Sequence, residues 1–380
     1  MDAALRAGLE GLLQGVTSLG PGQVIMLALG CALLYLAIAR GIEPLLLLPI
    51  GFGAILVNIP GAGLMDEGGV LRVFYQAGVL TEIFPVLIFI GIGAMTDFGP
   101  LLENPKILLL GAAGQFGIFL TILLALALGF TLQQSVAIGV IGAMDGPTAI
   151  YVSSRFAPEL LGPISVAAYS YMSLVPIIQP PLMRLLTTKQ ERMIMMGTVK
   201  RTVSRRAKLL FPVMVAIVGS LIAPQGTPLL GMLMLGNLLR ESGVVERLRR
   251  ASENEIANIV TLLLGLSIGA TMQAEQFLRL QTLLIVGLGF VAICLDTITG
   301  LLFGKLMCFL TRGQINPLIG AAGISAFPMA ARVVQIEGQR YNKKNHLLMH
   351  AMGANTGGQI GSVMAAAIML SVLQGLGYSG

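Results

Sequence analysis

Hydrophobic positions along the chain fall into ten long runs separated by short polar or charged stretches. They cover residues 22–39, 42–59, 78–96, 106–130 and 162–185 in the first half, then 208–223, 226–239, 256–272, 281–304 and 346–375 in the second. A soluble helix is apolar on one stripe, whereas a helix in lipid is apolar all round, so these runs predict membrane spans. Two further apolar stretches, 133–153 and 313–331, are broken in their middles by glycine and proline. Unwound backbone at membrane depth survives only inside protein or along a wet cavity. These two therefore predict hairpins that enter and leave by the same face. Ahead of them all, Leu5, Leu9, Leu12, Leu13 and Val16 share one helical face, which predicts an amphipathic helix lying on the membrane over 1–20. Glu10 and Gln14 interrupt the apolar core that a signal peptide would need.

The two halves also resemble each other. "IGAMTDFGPLLENPKILLLG" (92–111) aligns with "IGATMQAEQFLRLQTLLIVG" (268–287), so that Gly93, Ala94 and Gly111 repeat as Gly269, Ala270 and Gly287. At a similar offset "MSLVPIIQ" (172–179) falls on "MGANTGGQ" (352–359) and Asp145 on Ser325. Five spans per half is an odd number, so the halves must cross the membrane in opposite senses, as in many secondary transporters with a midplane site. The expected fold is an all-α, transporter-like polytopic membrane protein. Its parts are a surface helix over 1–20, a first inverted repeat over 21–185, a basic linker over 186–207 and a second inverted repeat over 208–380.

Composition agrees with this and removes other classes. Of 380 residues 55% are hydrophobic and 11% charged, against roughly 25% charged in a soluble domain. The 48 glycines suit close helix packing in lipid. The net charge of +6 does not point to nucleic acid, because the basic residues gather in a few loops and act as topology signals. Arg184, Lys189, Arg192, Lys200, Arg201, Arg205, Arg206 and Lys208 stand against Glu191 alone and set that loop on the cytoplasmic side. Residues 332–346 belong there too, "MDEGG" (65–69) belongs outside, and both termini follow it outside. Cys31, Cys294 and Cys308 are dispersed and read as small core residues. No phosphate-binding loop, dinucleotide fingerprint or nucleophile elbow is present, so covalent catalysis has no candidate.

The chemistry concentrates at the breaks. In "IGAMDGPTAI" (141–150), Gly146 and Pro147 interrupt the helix beside Asp145, a carboxylate whose cost in a membrane calls for a role. Capping the half-helix is the bland one. With the second break and "GANTGGQIGS" (353–362), Asp145 joins Thr148, Asn316, Ser325, Asn355 and Gln359. These are all oxygen-bearing side chains, suited to a hard cation such as Na⁺. Tyr171 offers a phenolic hydroxyl or mere packing. Asp296 is a second intramembrane acid, either an ion ligand or half of an ion pair. Arg332 is a topology charge or an anion-binding group. His346 and His350, four apart, lack the further ligands a metal site would need.

"GAMTDFGPLLENPK", "DGPTAIY", "YSYMSLVPIIQPPLMRLLTTKQER", "NPLIGAAGISAFPMAARV" and "GANTGGQIGS" resemble, in order, the β subunit of sodium-translocating biotin-dependent decarboxylases, which act on oxaloacetate, methylmalonyl-CoA or glutaconyl-CoA. The likeness runs from about residue 25 to the end. It implies a subunit that decarboxylates carboxybiotin delivered by a partner, drives Na⁺ out of the cell and consumes a proton. The implied partners are a carboxyltransferase and biotin-carrier α subunit and a small single-span γ or δ subunit. The implied setting is an oligomer in the inner membrane of a bacterium or archaeon. Carried over residue by residue, the family's functional positions fall on Asp145, Tyr171, Asn316, Gly320, Ser325, Arg332 and Asn355. Asp145, Asn316, Gly320, Ser325 and Asn355 would hold Na⁺. Asp145, Tyr171 and Ser325 would carry the catalytic chemistry, with Tyr171 handing on a proton and Arg332 steering the carboxybiotin. One departure is that the family more often has Gly-Gly-Ala where this chain has Gly142-Ala143-Met144, which implies altered ion occupancy or affinity. Without the resemblance, a Na⁺-coupled symporter of a small organic anion fits the same residues. A channel fits less well, since helices broken at one site suggest alternating access.

Overall fold

The computed structural model describes residues 15–197 and 203–378, and within them it is helical throughout, with no strand. Fourteen helices carry the architecture of the described residues. They are α1 Pro21–Ala39, α2 Pro44–Val57, α3 Ile83–Met95, α4 Leu108–Ala113, α5 Phe116–Ala127, α6 Leu132–Gly139 and α7 Gly146–Phe156, followed by α8 Leu161–Leu186, α9 Arg205–Ile222, α10 Thr227–Ser242, α11 Ala257–Ala270, α12 Leu280–Leu310, α13 Met329–Tyr341 and α14 Leu348–Gly375; the six-residue Glu246–Ala251 is the lead-in to α11 and takes no number. Of the surface helix expected over 1–20, residues 1–14 lie outside the described residues, and 15–17 form one helical turn. Lys200 and Arg201 of the linker also lie outside them.

Five helical stretches are long and apolar enough to cross a bilayer: 21–39, 105–127, 158–186, 280–310 and 348–375. A sixth follows if Val70–Val79 and Ile83–Met95, bent by 62°, are one span. The remaining expected spans coincide with α2, α10 and α11, which are shorter, and with α9, which opens on Arg205, Arg206 and Lys208. The short helices are anchored by their neighbours. Asn58, just past α2, donates to Met272 O at 2.8 Å and accepts from Ala274 N at 2.9 Å, so α2 and α11 are tied at one end.

The element order repeats. Each half has two helices, a helix entered through a π-helical turn (Tyr75–Val79 and Ser252–Ile256), a short helix (Gly99–Glu103 and Ala274–Phe277), a long helix, a broken segment and a last long helix. Packing is reciprocal between the halves. As α3 lies on α10, so α2 lies on α11; as α8 lies on α12, so α14 lies on α4. Glycine makes the first two contacts close. A Cβ on Gly93 would collide with Leu233 O and one on Gly236 with Ile90 O, while one on Gly53 or Gly269 would meet the backbone of α11 or α2. Backbones this close gain dispersion contact where lipid provides no hydrophobic drive.

The two broken segments each begin and end at one end of the bundle, and at opposite ends. The first opens at Thr131, whose hydroxyl and backbone form a reciprocal box with Gln134, and Gln134 reaches Glu159 beyond the segment's other limb at 2.9 Å. The second opens at Asn316, which donates to Arg192 O and Ile194 O, and closes at Tyr341, whose ring lies under the Arg192 guanidinium. The tips meet: Ser325 N donates to Ala143 O at 3.1 Å. The Asn316 end is clamped by Arg184, which bonds both Glu337 oxygens at 2.7 and 2.8 Å. Glu337 is 1% exposed, with Arg340 as a further partner at 3.6 Å. Arg184→Ala strands a buried carboxylate, and the melting temperature in detergent is expected to fall by about 3 °C. Arg184→Lys should recover only part, since lysine lacks the bidentate fork.

Candidate functional site around Asp145

The first break is built by local geometry. A 3₁₀ turn, Val140–Ala143, ends the inbound limb, Met144 is left-handed at φ 55°, and Asp145 is extended before α7 starts. A non-glycine residue in that conformation is strained by roughly 1–2 kcal/mol, which the surrounding packing must hold. Asp145 occupies the N-cap position, yet its carboxylate makes no capping hydrogen bond, although the Thr148 amide lies near. Instead Oδ2 accepts from Thr148 Oγ at 2.7 Å and from Ser362 Oγ at 3.2 Å. Its hydrogen bonds thus go to two hydroxyls, one on α7 and one on α14, with the first-turn amide of Thr148 beside them.

Asp145 lines a cavity of about 380 Å³ together with Ser325, Gln359, Tyr169 and Glu43, and the rest of the wall is largely Leu, Ile, Met and Phe. The cavity extends toward Glu43 at the start of α2 and Met95 at the end of α3. Met95 O accepts from Arg240 at 3.1 Å, and Arg240 and its neighbour Glu241 join Asp97 and Lys208 in one group of ion pairs. The cavity therefore reaches toward the end of the bundle that carries the basic linker.

Of the residues singled out from sequence, Asp145, Thr148, Ser325 and Gln359 come together here. Ser325 Oγ donates to Gly358 O at 2.9 Å, and Gln359 Oε1 accepts from Thr96 Oγ at 3.1 Å. Asn355 is adjacent: its amide donates to Ile324 O at 2.6 Å and its buried Oδ1 has no partner among the described residues. Asn316 instead holds the linker, and Gly320 packs its backbone against Gly300. Tyr171 donates to Val286 O of α12 at 2.6 Å and tilts against Phe290, away from the cavity. Arg332 is exposed on α13. Asp296 is fully buried with no basic side chain bonded to it among the described residues, and a Cβ on Gly117 or Gly142 would overlap its oxygens. His346 precedes α14, so it and His350 do not share a helix face. Among the described residues no cluster of three or more metal-ligating side chains occurs.

Sequence reading missed Ser362, Tyr169, Glu43 and Thr96. Ser362 lies one turn past Gln359 in an already conspicuous glycine-rich stretch, so helical spacing could have found it. Glu43 and Thr96 flank helix ends and Tyr169 lies inside α8, and only the fold brings the three together.

A family profile described as "Na+-transporting oxaloacetate decarboxylase beta subunit" matches residues 22–373. The chain is 52% identical over 383 residues to the methylmalonyl-CoA decarboxylase subunit beta of Propionigenium modestum, covering 94% of this chain and 96% of that protein. It is 54% identical to the glutaconyl-CoA decarboxylase subunit beta of Acidaminococcus fermentans, covering 93% and 94%. It is 50% identical to the oxaloacetate decarboxylase beta chain of Klebsiella pneumoniae, covering 97% and 98%.

Proposed function

The chain belongs to the β-subunit family of Na⁺-transporting decarboxylases, and from that premise we propose how its residues carry the activity. It is a membrane subunit of a sodium-pumping decarboxylase rather than a symporter. Our reading is that carboxybiotin, presented by a carrier on a partner α subunit, enters the Asp145 cavity from the cytoplasmic end, and that Na⁺ bound at Asp145 is expelled to the other side. Further partners in this reading are a small single-span γ or δ subunit and other copies of the chain, in the inner membrane of a bacterium or archaeon. The observation that carries it is the cavity itself, an apolar chamber reaching from the linker end to a buried carboxylate at a broken helix.

In this reading the halves are inverted repeats and the broken segments are re-entrant hairpins, supported by the reciprocal packing and by limbs that start and finish at the same end. Asp145 gives the cation its charge, held in place by Thr148 and Ser362. Ser325 and the unpartnered Oδ1 of Asn355 are neutral oxygens for the same ion. Asn316 and Gly320 act by holding the second break in place. Loss of CO₂ breaks the bond from the carboxyl carbon to the ureido nitrogen. The electron pair stays on nitrogen, which takes up a proton. An apolar wall favours this step by stripping water from the carboxylate. Tyr171 serves as proton donor in a state where its bond to Val286 is released, and Arg332 meets the carboxylate outside the cavity.

The test is release of CO₂ from free carboxybiotin by the purified chain, with and without Na⁺, supplemented with carrier and small subunit if the chain alone is silent. Na⁺-stimulated release is expected. Release indifferent to Na⁺ in the complete complex would overturn the placement of coupling in this cavity.

A further inference from the structure

Among the described residues, the walls of the Asp145 cavity hold two acids, Asp145 and Glu43, and no lysine, arginine or histidine. The residues that share the wall are largely satisfied. Asp145 is bonded by Thr148 and Ser362, Ser325 by Gly358, and Gln359 by Thr96. Two groups stand out. Glu43 does not cap the helix it precedes, and its carboxylate has no hydrogen bond or ion pair among the described residues. Its backbone is left-handed at φ 37°, an unfavourable conformation for glutamate. Tyr169 is 1% exposed and its hydroxyl has no hydrogen-bond partner among the described residues, while its ring presses so closely on Gly146 that any side chain there would collide with it. That hydroxyl lies within electrostatic reach of both Asp145 and Glu43.

A cavity with two carboxylates and no base repels an anionic substrate until cations neutralise it. We propose that Glu43 is a second cation-binding group, which captures Na⁺ at the mouth of the cavity and passes it by the Tyr169 oxygen to Asp145. The proposal rests on the reading of Asp145 as the Na⁺ site. It makes Na⁺ loading precede substrate, so that the KM for carboxybiotin falls as Na⁺ rises.

The experiment uses Glu43→Gln in the purified chain and in the complete complex, with Na⁺ as the probe and K⁺ as control. Two readouts are taken against Na⁺ concentration: thermal stabilisation of the chain, and CO₂ release. Removing one charge several ångströms from the ion should raise the half-saturating Na⁺ concentration roughly tenfold in both, with saturating Na⁺ restoring the rate. Glu43→Gly relieves the backbone without restoring the carboxylate and should show the same shift, whereas Glu43→Asp should reverse most of it. An unchanged Na⁺ dependence overturns the proposal. So does a loss of rate that Na⁺ cannot restore, or a Glu43→Gly variant that behaves as wild type, since either makes Glu43 structural. A complex that shows the Na⁺ shift in stabilisation but no Na⁺-dependent CO₂ release would sink the decarboxylation reading and leave the cation site standing.

Discussion

Asp145→Asn is expected to reduce Na⁺-stimulated CO₂ release to the level seen without Na⁺. Asparagine keeps the shape and can still accept from Thr148 and Ser362, which lie 2.7 and 3.2 Å from Oδ2, so the break should fold as before. What it lacks is charge. At an effective dielectric of about 20 a unit charge pair 4 Å apart is worth roughly 4 kcal/mol, on the order of a thousandfold in cation affinity. Neither Ser325 nor Asn355 can replace a formal charge, and Glu43 lies at the cavity's far end. The check is initial-rate CO₂ release across a Na⁺ series in the complete complex, with ²²Na⁺ uptake into inverted vesicles alongside. A variant whose Na⁺-dependent rate stays within about threefold of wild type would move the ion site elsewhere.

Replacing Gly320 by alanine should be nearly as damaging, for a reason unrelated to ion ligation. A Cβ on Gly320 would overlap Gly300 O of α12, and a Cβ on Gly300 would overlap Gly320 O. Both clashes are with backbone, which cannot rotate away, so the 3₁₀ segment Pro317–Gly323 must lift from α12. Overpacking costs typically 1–3 kcal/mol, here near the upper end, or a fall in melting temperature of roughly 5–10 °C. Gly300→Ala separates the two explanations. If Gly320 matters through packing, Gly300→Ala should reproduce the loss of stability and of Na⁺-stimulated release. If Gly300→Ala is neutral while Gly320→Ala is inactive, Gly320 supplies a ligand.

Much of the fold was legible because lipid leaves few choices. Continuous apolar runs located α1, α5, α8, α12 and α14, and the glycine and proline inside two runs located both breaks. Gly93 and Gly269 of the shared "IGA" motif both lie in close helix seams, Gly93 against α10 and Gly269 against α2. Lengths were harder to read. The runs over α2, α10 and α11 look like full spans, but the helices end where side chains such as Asn58 take over the backbone's hydrogen bonds. At the site, Asp145 was conspicuous because a carboxylate beside a break in an apolar run is costly and calls for a role, with helix capping as the alternative. Tyr171 and Tyr169 could not be ranked from sequence. They are two residues apart on α8 and therefore face different neighbours, one α12 and the other Gly146. Glu43 fell at the start of the expected 42–59 span and drew no functional reading, because only the fold reveals which cavity a helix start borders.

The glycine seams have a mechanical consequence. Each one joins a helix of the first half to a helix of the second, α3 to α10 and α2 to α11, so neither half can shift as a block without tearing both. The natural slip plane therefore runs across both halves of the chain rather than between them. On one side lies a stiff frame of four seamed helices with α1 and α9 attached. On the other lie the two broken segments, latched tip to tip through Ser325 and Ala143, with the long helices that carry them. Separately expressed halves would each lack a partner for every seam, and should fold only when made together.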